Sequence, residues 1–229
     1  MKFSDFQDII STERLQRYLT AAGNDTKKTM TLYRLNLALS QEVFTILSCF
    51  EVALRNAIDR ELTTHLGADW LRDIILPGGL FDNPNFRRSA NIIRKAYEQL
   101  LREGSYSHVK LLASMEFGVW KYMFATPQYR VLGRTLLTIF PNKPQSSASF
   151  QYNNTFFFNE LDGINILRNR IAHHEPICFA LRQPAIGTAY ILNAYQTIHR
   201  LFMWMGIDSN SLLYGLDHVQ QVCTKINRL

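Results

Sequence analysis

Several chemistries are excluded by what this 229-residue sequence lacks. Neither GxxxxGKS/T nor GxGxxG occurs, so a phosphate cradle of the NTPase or dinucleotide-enzyme kind is absent. Cysteine is scarce: Cys49, Cys178 and Cys223 are widely spaced, with no CxxC pair, which argues against both a disulfide framework and a zinc knuckle. The histidines have no ligand-like spacing, and adjacent His173 and His174 diverge on a helix, so neither metal nor cofactor is expected. No uninterrupted apolar run reaches bilayer length, and Met1-Lys2-Phe3-Ser4-Asp5 is not followed by an apolar signal region; a cytoplasmic protein without a membrane role is expected. Acid is short relative to base. With 25 Lys and Arg against 19 Asp and Glu, the formal charge of +6 favours anionic partners, nucleic acid first. Alternation of apolar and polar residues over a useful strand length is also missing, which leaves an all-α fold.

What is present is helical periodicity. Phe6, Ile9 and Ile10, then Leu15, Tyr18 and Leu19, predict one helix or two short ones capped near Ser11-Thr12. From about Lys28 to Leu62, Leu32, Leu35, Leu39, Val43, Ile46, Phe50, Leu54, Ile58 and Leu62 follow a near-heptad rhythm without proline or glycine, predicting a long spine helix. Further helices are expected over 87–102, 108–125, 127–140, 161–174, 187–205 and 211–228, with irregular loops near 76–86 and 141–150. The simplest organisation is one domain over 1–229.

Chemistry concentrates in Leu167-Arg168-Asn169-Arg170-Ile171-Ala172-His173-His174-Glu175-Pro176. Leu161, Ile164, Leu167 and Ile171 form an apolar stripe at three- and four-residue spacing. Asp162, Asn165, Asn169 and His173 form a polar stripe on the other side, facing water or a partner. Pro176 lacks an N–H and pushes Glu175 out of the helical region, so the last turn is expected to hold Ala172, His173 and His174. Asn169 and His173, four apart, are neighbours on the surface, and Arg168 supplies a permanent forked cation suited to phosphate oxygens. The competing reading makes His173 a cap for free carbonyls and pairs Arg168 with Glu51 or Glu116.

Elsewhere, Glu51 and Arg55 stand four apart on or beside the spine's apolar stripe. They either satisfy each other at its rim or help hold the Arg168–His173 helix. Glu116 falls in the apolar stripe of 108–125, and His174 joins these three as a supporting residue. Arg87, Arg88, Arg94 and Lys95 put positive charge on one helix, and with Arg170 they either track a phosphate backbone or form a solvated face.

These residues carry a family resemblance. Arg168-Asn169-x-x-x-His173 resembles the arginine, polar residue, three spacers, histidine signature of the HEPN superfamily of helical nucleic-acid-associated domains. Residues 167–175 look more particularly like the Abi-like group, the abortive-infection proteins of bacteria. Glu51-Val52-Ala53-Leu54-Arg55-Asn56-Ala57-Ile58 with Gly67-Ala68-Asp69-Trp70 is similar to that group's N-terminal motif, and Met115-Glu116-Phe117-Gly118 to its middle one. Order and spacing agree over roughly residues 30 to 205. The resemblance implies a HEPN-like helical bundle that dimerises to face two motif helices across a composite RNA-cleaving site. It further implies a metal-independent endoribonuclease of phage defence or a toxin–antitoxin system, with Arg168, Asn169 and His173 catalytic and a small RNA or cognate antitoxin as regulator. A non-catalytic RNA-binding or regulatory module is the alternative.

Overall fold

The computed structural model describes residues 1–181 and 183–229, and among these the chain is all-α. Its α-helices are α1 (Phe3–Ile10), α2 (Thr12–Ala21), α3 (Thr26–Leu66), α4 (Trp70–Asp73), α5 (Arg87–Arg102), α6 (His108–Ala113), α7 (Phe117–Tyr122), α8 (Thr126–Val131), α9 (Asn154–Ala172), α10 (Ala189–Trp204), α11 (Ser209–Leu212) and α12 (Val219–Asn227). Extended pairing among the described residues is limited to one isolated bridge between Phe179 and Ile186.

Two compact units make up the described chain. The first comprises Met1–Ser48, Ile166–Arg200 and Asp208–Leu229, and the second Cys49–Asn165 and Leu201–Ile207; three of the boundaries fall inside α3, α9 and α10, and the fourth between α10 and α11. In the first unit Phe6, Leu15, Tyr18, Leu32, Leu39, Leu167, Phe179 and Val219 are buried, and Tyr18 lies edge-on to Phe179 at 5.1 Å. In the second unit Phe140 stacks on Phe157 at 4.2 Å, and Phe50 meets Phe202 edge-on at 5.3 Å.

The spine is α3, with 41 residues. Asp25 starts it by accepting the backbone N–H groups of Lys27 (2.8 Å) and Lys28 (3.0 Å), satisfying donors that the first turn leaves free. Every member of the near-heptad set is buried except Leu35, which is half-buried. An 18-residue window of α3 has a mean hydropathy of 1.5, so by length and composition alone this helix is long and apolar enough to cross a bilayer. The window passes because its apolar residues are dense, although polar ones interrupt them.

Three expected helices break. The 108–125 segment divides into α6 and α7, with α6 started by Ser107, whose side chain accepts the Lys110 N–H at 3.3 Å. The 127–140 segment divides at Gly133 (φ 87°) and Arg134 (φ 61°) into α8 and a 3-10 turn over Leu136–Ile139. The 211–228 segment becomes α11 and α12 on either side of Gly215 (φ 73°). Positive φ at successive residues cannot continue a right-handed helix.

Candidate functional site

Leu161, Ile164, Leu167 and Ile171 are all buried, so the apolar stripe fixes the rotation of α9 about its axis. Asn169 and His173 are consequently exposed. The helix ends at Ala172, earlier than Pro176 alone predicted. His174 adopts a left-handed conformation (φ 56°), its N–H bonds back to Ile171 O (2.9 Å), and the Glu175 N–H reaches Arg170 O (2.8 Å). This paired closure satisfies two terminal carbonyls and is the arrangement for which glycine is ordinarily chosen. His173 therefore sits at the boundary residue, its N–H still bonded to Asn169 O at 2.9 Å.

The chain leaving that turn is pinned within the first unit. Arg170 donates through Nη2 to Pro176 O (2.6 Å) and through Nε to Glu175 Oε2 (3.2 Å). A guanidinium of Arg14, on α2, donates to the carbonyl oxygen of His174. Asn36, on α3 and only 3 % exposed, accepts the N–H groups of both Ile177 (2.8 Å) and Cys178 (3.2 Å) on Oδ1. Arg17 lies over the Phe179 ring at 4.3 Å and donates to Gln183 O at 2.8 Å. Burial pushes the Cys178 thiol up to about 12, which removes it as a nucleophile near neutrality.

Arg168 is half-buried and its Nη1 lies 3.4 Å from Asn169 Oδ1. Among the described residues it enters no ion pair, and the His173 side chain makes no hydrogen bond. His173 stands five positions after Arg168, a rise of about 7.5 Å and a turn of about 140° round the axis, a gap that the long Arg168 side chain can close around one phosphodiester. The forked guanidinium can hold phosphoryl oxygens, and the imidazole ring nitrogens can accept or donate a proton.

The supporting residues fare differently. His174 serves the backbone turn, and its exposed ring is not part of the clamp. Glu51 and Arg55 are half-buried on α3 in the second unit, where Arg55 Nε lies 3.4 Å from Asn56 Oδ1. Glu116 is exposed and precedes α7, so the apolar setting expected for it disappears with the break between α6 and α7. In that unit the buried Lys121 meets Asp162, a member of the polar stripe, at 2.7 Å. On α5, Arg87, Arg88 and Lys95 are exposed and Arg94 is half-buried. Among the described residues no group of three or more His, Cys, Asp or Glu side chains is placed to hold a metal ion.

Sequence reasoning missed Asn36, Arg14 and Arg17. Asn36 had a signal, a polar residue at core register between Leu32 and Leu39. The two arginines had none, because their partners lie 160 and 166 positions away.

A family model described as Abi-like protein matches residues 2–178, well over half of the chain. No curated protein and no solved structure matches it.

Proposed function

The chain belongs to the Abi-like protein family, and on that footing we propose that it is a metal-independent endoribonuclease of bacterial phage defence. The motif helices of two copies face each other, and RNA lies along the seam. The ribose 2′-oxygen forms a bond to the adjacent phosphorus while the bond from phosphorus to the 5′-oxygen breaks, leaving a 2′,3′-cyclic phosphate and a 5′-hydroxyl. One His173 accepts the 2′-hydroxyl proton and the other delivers a proton to the departing oxygen. Arg168 stabilises charge growing on the phosphoryl oxygens, and Asn169 orients the guanidinium it touches. A small RNA or cognate antitoxin restrains the activity in the cytoplasm.

The observation that carries this reading is the contrast between a pinned backbone and unoccupied side-chain chemistry. The turn after His173 is tied by Asn36, Arg14 and Arg170, yet Arg168 and His173 have no carboxylate partner among the described residues. Apolar groups that a second copy would cover support the dimer: Ile166 is 50 % exposed one turn before Asn169, and Leu37 and Phe44, seven apart on α3, are 48 % and 46 % exposed.

A second reading, a module that binds RNA without cutting it, draws on the absence, among the described residues, of any hydrogen bond orienting the His173 ring. Cleavage and retention of RNA by the wild type and by His173→Ala separate the two. The nuclease reading expects cleavage to disappear with binding kept; a wild type that binds RNA without cutting it supports the second.

A further inference from the structure

The second unit contains a cleft of about 440 Å³ beside the start of α5, with Phe81, Asn83, Arg87, Ala90, Asn91 and Arg94 among its walls. Phe81 and Ala90, at its base, are almost wholly buried. Its rim is rich in donors. Arg87 and Arg94 are seven residues apart on α5, two turns or about 10 Å along the axis, and neither enters an ion pair among the described residues. Arg94 is held by Asn91 Oδ1 (3.0 Å) and Ile75 O (3.1 Å), which leaves three of its five N–H donors over. Asn83 Oδ1 already accepts the Asn85 N–H at 2.9 Å, so the amides of Asn83 and Asn91 have their NH₂ groups to offer. The carboxylate at the rim, Asp82, accepts the Gly78 N–H at 2.9 Å.

This charge is also placed against local preference. The first turn of α5 contains no acid and begins with two arginines, at the positive end of the helix dipole. Such an arrangement is unfavourable alone and becomes favourable once an anion enters. We infer that the cleft is a phosphate-binding subsite for single-stranded RNA, gripping a ribose-phosphate unit other than the one cut at Arg168 and His173. The inference rests on the RNA reading above. The forked guanidiniums take the phosphoryl oxygens. Arg88 and Lys95, exposed on the same helix, add field without lining the cleft.

The test uses the full chain carrying His173→Ala, so that RNA survives the measurement. Binding of a labelled single-stranded RNA is followed over a salt series, with Arg87→Gln and Arg94→Gln introduced singly and together. Each lost phosphate contact should flatten the slope of log K against log salt by about 0.7, and Arg102→Gln, in the last turn of the same helix, should leave it unchanged. The Arg87 side chain makes no hydrogen bond among the described residues, so Arg87→Gln carries the test even if Arg94→Gln unfolds, which a melting curve reveals. An unchanged slope in Arg87→Gln, an equal change in Arg102→Gln, or preferential binding of polyglutamate overturns the subsite. Wild-type chain that neither binds nor cuts RNA overturns the parent reading instead.

Discussion

His174 holds a left-handed backbone conformation without being glycine, and the two hydrogen bonds that close α9 depend on it. Replacing it with glycine should remove the steric cost and raise stability by up to about 1 kcal/mol, whereas valine should lower it by more. Denaturant unfolding reads both. Asn36 tests the clamp from the opposite side. Asn36→Ala strands the N–H groups of Ile177 and Cys178 in the interior, and the loss should be about 2 kcal/mol or greater. The exposure of Asn169 and His173 was legible in the sequence, because helical spacing places them four apart on the side away from Leu161, Ile164, Leu167 and Ile171. The clamp was not legible: Asn36 bonds residues 141 and 142 positions away, and no local pattern records such a partner.

Helices whose apolar spacing ran unbroken in sequence turned out to be interrupted. Leu112, Met115 and Val119 suit one continuous helix, yet the chain turns at Ser114 and resumes after Glu116, with all three residues buried. Periodicity reports which residues want the interior and says little about whether the backbone between them stays in phase. The α3 and α5 spans, by contrast, were readable to within a few residues because their stripes run uninterrupted for many turns. Packing of α7 on α9 in the second unit gives a sharp prediction. Lys121 has a side chain only 7 % exposed, meets Asp162 at 2.7 Å and lies 4.5 Å from the Tyr122 ring, while Asp162 is 40 % exposed. Asp162→Ala leaves a buried ammonium uncompensated and should cost about 3 kcal/mol; Lys121→Met in the same chain should recover much of it. Unfolding of the single and double variants closes that cycle.

The joint between α10 and α11 makes a prediction about pH. His199 Nδ1 lies 2.8 Å from Ser209 Oγ, and Nε2 lies 3.3 Å from Asp217 Oδ2 but out of hydrogen-bond alignment. Burial outweighs that carboxylate and holds the imidazole below its ordinary value of 6.5. Between the lowered value and 6.5 the unfolded chain is protonated and the folded chain is not, so unfolding takes up a proton. Stability from this site is therefore full above about 6.5 and declines as the pH falls through it. The melting temperature should drop on acidification, and His199→Gln should make that drop smaller.

At the scale of the molecule, an all-α chain of +6 formal charge builds two compact units, and among the described residues Arg168 in the first and Arg87 and Arg94 in the second enter no ion pair. A nuclease that joins its catalytic groups across two copies should lose specific activity on dilution below its dimer dissociation constant, in step with the mass seen by light scattering. The chemistry itself is tested most directly by the ends of the cut RNA. Wild type and His173→Ala are incubated with RNA in the presence of a chelator, and the termini are identified. Cyclic phosphate and 5′-hydroxyl ends from the wild type, and intact RNA from the variant, are the predicted result. Ends bearing 5′-phosphate, cutting abolished by the chelator, or equal cutting by His173→Ala would contradict the mechanism.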